Sequence, residues 1–293
     1  MTKVERRNLK YGLLFVAPWL VGLTVFNLYP IAASFYLSLC DYSVLQSAQF
    51  VGLANYVDLF TDEVFWIALK NTLYYAALAL PLGAFIAFAT AVLLNTGVRG
   101  MAFYRTIFFL PSLIPSVAAA ILWLWVFNGE YGVLNYLLAH LGIQGPGWLS
   151  DPAWSKPALV LMSVWGVGHA VVIYLAGLQD VPQQLYEAAE LDGAHWWQKL
   201  RHVTIPVMSP VILFNVIMGI IGALQTFTQP YIMMPGGQPA RSAYFYTMYL
   251  YDNALPYLQM GYASAMAWIM FLIILTLTFG ALRLSKRHVH YGV

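Results

Sequence analysis

Charge is scarce in this chain. Of its 293 residues only 9% are Asp, Glu, Lys or Arg and 61% are hydrophobic, where a soluble domain is about a quarter charged and about half apolar. That balance excludes an ordinary water-soluble globule and indicates an integral membrane protein. A net charge of +2 leaves no basic field to hold nucleic acid. The single cysteine, Cys40, excludes an internal disulfide framework and a cysteine-based zinc site. Catalytic signatures are missing too. There is no G-x-x-x-x-G-K-[ST], so the chain brings no P-loop to ATP, and no H-E-x-x-H or G-x-S-x-G. His288-Val289-His290 reads as part of a solvated basic tail rather than a metal site. The apolar runs hold almost no Asp or Glu. This argues against a secondary transporter driven through intramembrane carboxylates, and against a membrane enzyme that needs a clustered acid–base pair. Linkers and low-complexity tracts are also lacking, so a single membrane domain over 1–293 is the simplest division.

Long apolar segments are what the chain has in abundance. A helix crosses the hydrocarbon core with roughly 20 apolar residues. Tyr11–Leu39, Thr72–Leu94, Ile107–Phe127, Pro157–Leu178, Val207–Leu224 and Tyr262–Leu282 all qualify. The expected fold class is therefore all-α: a polytopic membrane protein with six transmembrane helices. Lys3, Arg6, Arg7 and Lys10 resemble the start of a signal peptide. The apolar run that follows continues to Leu39, well beyond an h-region of about 7–15 residues, so it reads as an uncleaved first span. Pro18 and Pro30 predict a kink there, and Pro81, Pro111 and Pro115 interrupt later spans. With the N-terminus inside, all of the 14 Lys and Arg residues except Lys70, Lys156 and Arg241 fall on the inner side. That asymmetry orients the chain with both termini in the cytoplasm. The loops around 40–70, 128–156 and 225–261 then lie outside. Their Tyr and Trp content fits an interfacial aromatic belt, with short amphipathic helices on which a soluble partner could land.

One polar stretch, Pro182–Pro210, stands between two apolar segments and carries Glu187, Glu190, Asp192, Lys199, Arg201 and His202. Pro182 suits a helix start. Leu185, Ala188, Ala189 and Asp192 fall near one helical face, and Gly193 permits a sharp bend. The pattern predicts helix, bend, helix, projecting from the membrane. An amphipathic helix lying on the bilayer is the competing reading, and the acidic first half of the stretch disfavours it on anionic lipid.

This stretch resembles the cytoplasmic loop of ATP-binding-cassette importer permeases, whose pattern is E-A-A, three residues, G, nine residues, I, one residue, L-P. Here it runs Glu187-Ala188-Ala189, Gly193, Val203, Ile205 and Pro206, with Val for Ile and Ile for Leu as mild departures. The resemblance extends over nearly the whole chain and looks like the sugar-permease branch, through FVAPWLVGLTVFNLYPIAASFYLSLCDY, FVGLANYVDLF, RTIFFLPSLIPSVAAAILWLWVFNGEYGVLN and PGGQPARS. It implies a cytoplasmic coupling helix within a loop of about 180–206, in which Glu187, Ala188, Ala189, Asp192, Gly193 and Pro206 engage an ATPase. It further implies a bacterial inner-membrane location and import of a carbohydrate: an oligosaccharide, sugar, polyol or glycerol phosphate. A permease for a non-sugar solute is the neighbouring alternative. The implied partners are a second, related permease forming a heterodimer, two ATPase subunits that hold ATP and magnesium, and a periplasmic or extracellular solute-binding protein. No cofactor is expected on this chain itself.

Two apolar segments carry polar stripes. Trp165 and His169 are four residues apart, with Gly166 beside them. Asn215, Gly219, Gly222, Thr226 and Gln229 recur at helical intervals, giving one face of small and polar groups. Small residues also serve close helix packing. As a substrate-facing wall, the two stripes would offer hydrogen bonds to sugar hydroxyls, aromatic faces to C–H surfaces, and room for a ring. By resemblance, His169 takes the place of a tyrosine-like position among the sugar-binding residues.

Overall fold

The computed structural model describes residues 2–96 and 99–285. Lys286, Arg287 and the His288-Val289-His290 tail lie outside the described residues. The chain is almost wholly helical, as its apolar runs require. In order come α1 (Lys3–Leu23), α2 (Tyr29–Ser38), α3 (Ala54–Thr61), α4 (Glu63–Leu94), α5 (Met101–Phe109), α6 (Ser116–Val126), α7 (Val133–His140) and α8 (Pro152–Trp165). There follow α9 (Gly168–Gln179), α10 (Gln183–Leu191), α11 (Trp196–Lys199), α12 (Ile205–Leu224), α13 (Thr228–Met233), α14 (Tyr246–Ala254) and α15 (Met260–Ser285). Among the described residues the strands are limited to a two-residue antiparallel pair, β1 (Cys40–Asp41) with β2 (Gln49–Phe50).

Four helical segments are long and apolar enough to cross a membrane: Lys3–Ser38, Glu63–Leu94, Trp196–Met233 and Met260–Ser285. The other two expected spans are not single helices. Met101–Leu113 and Ser116–Val126 meet at 99°, and Pro152–Trp165 and Gly168–Gln179 meet at 45°, so the count reaches 6 when each bent pair is one span. The first break follows from Pro111 and Pro115. Pro115 has no N–H to donate, and it holds Ile114 extended at ψ 127°.

Prolines explain a second irregularity. The first span is not sharply broken at Pro18. Its π-helical turn, Thr24–Leu28, ends two residues before Pro30, and another π turn, Leu200–Thr204, ends two residues before Pro206. In each case the carbonyl four residues before the proline, that of Phe26 or His202, lies inside the widened turn. The proline ring would clash with that carbonyl in a regular α-helix, and a π turn carries it aside without ending the helix.

The chain divides into two compact units. One holds α1 to α3 with residues Leu250–Phe271. Its joint is a glycine contact: the N–H of Gly261 donates to Tyr42 O at 3.1 Å, and a Cβ on Gly261 would lie 2.1 Å from Cys40 O. Asn55 bridges the carbonyls of Ser38 and Cys40 at 2.9 Å each, and Tyr262 donates to Asp62 at 2.8 Å. The other unit holds Glu63–Tyr249 and the remainder of α15. In it α4 packs against α8, α9 and α12. Ala68, Thr72, Tyr75 and Ala79, then Ala87, Ala91 and Leu94, form its buried stripe. These steps of three and four keep mostly small side chains on one face, so neighbouring backbones approach closely.

Candidate functional site

The loop 180–206 folds as helix, bend, helix. Pro182 caps α10 rather than opening it, with ψ 126°, and Gln183 is the first helical residue. The helix ends in a Schellman motif: Ala194 N–H donates to Ala189 O at 2.8 Å and Gly193 N–H to Glu190 O at 3.0 Å. This geometry needs a left-handed residue after the cap, and Gly193 supplies φ +74°. Asp192 is the C-cap. Glu187, Ala188, Asp192 and Gly193 are exposed, Ala189 and Pro206 half-buried. His195 and Gln198 form a reciprocal cap at the start of α11, with His195 N–H donating to Gln198 Oε1 at 2.9 Å. Large apolar side chains crowd the open surface of this loop: Leu191 is 91% exposed, Trp196 62% and Trp197 55%. The two tryptophan rings touch, with centroids 5.9 Å apart. The sequence reading singled out the Glu-Ala-Ala and passed over these three residues.

A cavity of about 620 Å³ lies among α4, α8, α9 and α12. All eight stripe residues line it: Trp165, Gly166, His169, Asn215, Gly219, Gly222, Thr226 and Gln229. They arrive differently from the helical-face expectation. Trp165 ends α8 and His169 lies in the first turn of α9, across the 45° break, so they share the cavity and not a helix face. Likewise α12 stops at Leu224, and Thr226 and Gln229 belong to the turn and the short helix that follow. The two broken spans meet beside the cavity. A Cβ on Gly168 would lie 2.9 Å from Phe108 O and 2.9 Å from Ser112 Oγ, so only glycine lets the α9 start rest on the α5–α6 break. Backbone freed of helical bonding is thus held inside protein, the condition under which non-helical backbone is tolerated at membrane depth.

Trp165 packs edge-on to Trp123, with ring centroids 5.9 Å apart, and His169 edge-on to Phe109 at 5.5 Å. Asn215 Nδ2 donates to Val211 O in its own helix at 3.0 Å. The two glycines of α12 have different surroundings. A Cβ on Gly219 would lie 2.4 Å from Leu80 Cδ1, whereas one on Gly222 would meet nothing within 4 Å. Gly219 is therefore a packing residue as well as a lining one, and Gly222 opens onto space.

The sequence reading missed Tyr75, Ser112, Ser163 and Gln225 in the lining. Tyr75 is buried, 8% exposed, in the wall of the cavity. The available signal was a hydroxyl in a mostly apolar span, but Thr72 and Tyr74 beside it carry the same signal, so nothing distinguished Tyr75 from its neighbours.

The loop 235–246 is tied to the starts of α4 and α8. Asn71 Nδ2 donates to Arg241 O at 2.8 Å and Tyr244 O at 3.1 Å. Lys156 Nζ donates to Ser242 O at 2.9 Å and Asn71 Oδ1 at 3.2 Å. Ser155 and Ser242 hydroxyls meet at 2.8 Å, and Tyr246 N–H donates to Thr72 Oγ1 at 2.9 Å. Burial pushes the Tyr246 phenol far above its usual pKa, so it stays neutral. Among the described residues no group of His, Cys, Asp and Glu could hold a metal ion.

A helical chain with a bent loop rich in exposed apolar groups, and a cavity between broken spans, has known counterparts. Residues 79–291 match the family of binding-protein-dependent transport system inner membrane components. The chain belongs to that family. Its 40%-identical relative YesP of Bacillus subtilis (strain 168), a probable ABC transporter permease, aligns over 98% of this chain and 94% of its own. SmoG of Agrobacterium fabrum (strain C58 / ATCC 33970), a permease of a sulfoquinovosyl glycerol transport system, is 34% identical over 94% of this chain and 90% of its own. A chain of a bacterial alginate ABC transporter, solved with an alginate pentasaccharide-bound periplasmic protein, superposes with a TM-score of 0.84 at 25% identity, covering 99% of this chain and 98% of that one. This chain is therefore a multi-pass inner-membrane permease subunit of a binding-protein-dependent transport system.

Proposed function

We propose that this permease forms half of the pathway by which a carbohydrate, delivered by a solute-binding protein, crosses the inner membrane, and that partner ATPases drive it. The observation that carries the reading is the cavity. Its lining alternates hydroxyls and carboxamides (Tyr75, Ser163, Thr226, Asn215, Gln229) with the faces of Trp165 and His169. Such a surface exchanges hydrogen bonds with sugar hydroxyls and stacks on the apolar C–H face of a ring. SmoG and the alginate transporter, by their names, handle carbohydrates.

The second element is the loop 180–206. We assign it as the coupling loop, with Glu187, Ala188, Ala189, Asp192 and Gly193 facing a cleft of an ATPase, Leu191, Trp196 and Trp197 filling apolar ground around them, and Pro206 returning the chain to the membrane. Both termini and this loop lie in the cytoplasm, and the loop 235–246 lies outside. The complete importer holds a second, related permease, two ATPases carrying ATP and magnesium, and the solute-binding protein. This chain performs no nucleotide chemistry. Its task is to present the cavity alternately to the two sides.

Reconstitution of that complex in proteoliposomes tests the assignment. Carbohydrate uptake is expected only with ATP inside, the binding protein outside and both permeases present. Uptake that persists without the ATPase, or depends on an ion gradient, would overturn it.

A further inference from the structure

We infer that a partly buried hydroxyl pair, Tyr186 with Thr204, locks the coupling helix α10 to α12 and is the link through which movement of the loop reaches the cavity wall. The inference rests on the coupling role proposed above and assigns positioning residues that this role does not itself identify.

The need for a link is geometric. α10 joins α12 along the chain only through the Schellman bend at Gly193, the short α11 and the π turn Leu200–Thr204. A bend at glycine and a widened turn are poor transmitters of displacement. Left to the backbone alone, α10 could swing while α12 stayed still. Two side-chain ties cross the bend. Lys199 Nζ meets Glu190 Oε1 at 2.7 Å, but Glu190 is 61% exposed. Solvent and salt screen such a pair, and exposed pairs hold little. The other tie is sheltered. Tyr186 OH and Thr204 Oγ1 are 2.9 Å apart, and Thr204 is only 5% exposed.

Either hydroxyl of the pair can donate to the other, and Thr204 Oγ1 also lies 3.4 Å from Lys199 O, five residues back. Thr204 thus stands at the end of the π turn and holds the coupling helix. The tyrosine ring packs with Val203 and Val207 against the buried cluster that includes Leu178, Val181 and Met208. Tyr186 stands one residue before Glu187, at the point where an ATPase would press. Beyond Thr204, α12 runs as one helix past Asn215, Gly219 and Gly222. A push on α10 passes through Tyr186 into Thr204, and from there along a rigid helix to the lining.

The test uses the complete importer in proteoliposomes and reads ATP hydrolysed per carbohydrate transported. Tyr186→Phe keeps the ring and its packing and removes one hydroxyl of the pair. Thr204→Val keeps the shape and removes the other. Each is expected to raise the ratio at least three-fold while ATPase copurification with the permease stays at wild-type level, and the double variant should match the singles. Wild-type ratios in both singles, effects that multiply in the double variant, or loss of copurification would each overturn the linkage. Glu187→Lys is run alongside. If it too leaves ratio and copurification unchanged, the docking reading itself falls. If it uncouples transport while Tyr186→Phe and Thr204→Val do not, only the linkage falls.

Discussion

Single glycines are required at the bend and the cavity, each for its own reason. Gly193 is needed for its φ of +74°, not for space, since a Cβ there would meet nothing within 4 Å. Gly193→Ala is expected to cost about 1 kcal/mol locally, the typical left-handed penalty. Gly193→Pro is expected to abolish coupled transport, because proline cannot take that φ and loses the N–H that bonds Glu190 O. Both proteins should still reach the membrane, as fractionation would check. In the cavity, Gly222 faces open space while Gly219 abuts Leu80. Gly222→Leu should therefore block uptake by filling the path with the complex intact. Gly219→Leu should in addition lower the thermal stability of the complex. His169→Ala removes one ring and one hydrogen-bonding group. At about 1 kcal/mol per hydrogen bond, uptake should fall by roughly five-fold, with binding-protein affinity for the carbohydrate unchanged. Wild-type uptake in Gly222→Leu and His169→Ala alike would reduce the stripe to helix packing.

At the scale of elements, legibility in the sequence depended on polarity. The helix–bend–helix of 180–206 was readable because charges, Pro182 and Gly193 punctuate it. The spans were readable as apolar runs, but their faces were not, because the few polar groups of a helix such as α4 mark no single face and periodicity has little to act on. That is why Tyr75 was passed over. The prolines told that spans would be interrupted but not how. Pro111 and Pro115 make a 99° break, whereas Pro30 and Pro206 are absorbed by π turns. Spacing alone does not decide the outcome, since Pro206 and Pro210 are four residues apart, as Pro111 and Pro115 are, and α12 runs on through both. The α8–α9 break had no proline signal at all. It rests on Gly166 and on Gly168, whose missing side chain lets α9 sit on the backbone of Phe108 and Phe109. Gly168→Val should force these two breaks apart. We expect about 1–3 kcal/mol of destabilisation, as for overpacking of a core, and loss of uptake. Thermal denaturation of the purified complex measures the first and proteoliposome uptake the second.

Across the whole molecule, coupling from the loop to the cavity requires a particular topology. Cysteines placed at 190–200 should react with an impermeant maleimide only from the cytoplasm, and those near Asp58, Gly147 and Gly237 only from outside. An external Glu187 loop would overturn the coupling assignment and the orientation together. The central claim, however, is that ATP binding by a partner, sensed at that loop, decides which side of the membrane the cavity faces. Gly222→Cys reports on this directly, because the position looks into open cavity while the native Cys40 is buried. The measurement is its rate of modification by an impermeant thiol reagent from each side of the reconstituted importer, with and without a non-hydrolysable ATP analogue. Nucleotide is expected to raise labelling from outside and lower it from inside, and Glu187→Lys to abolish the change. Labelling that ignores nucleotide while the wild-type importer transports would contradict the central claim.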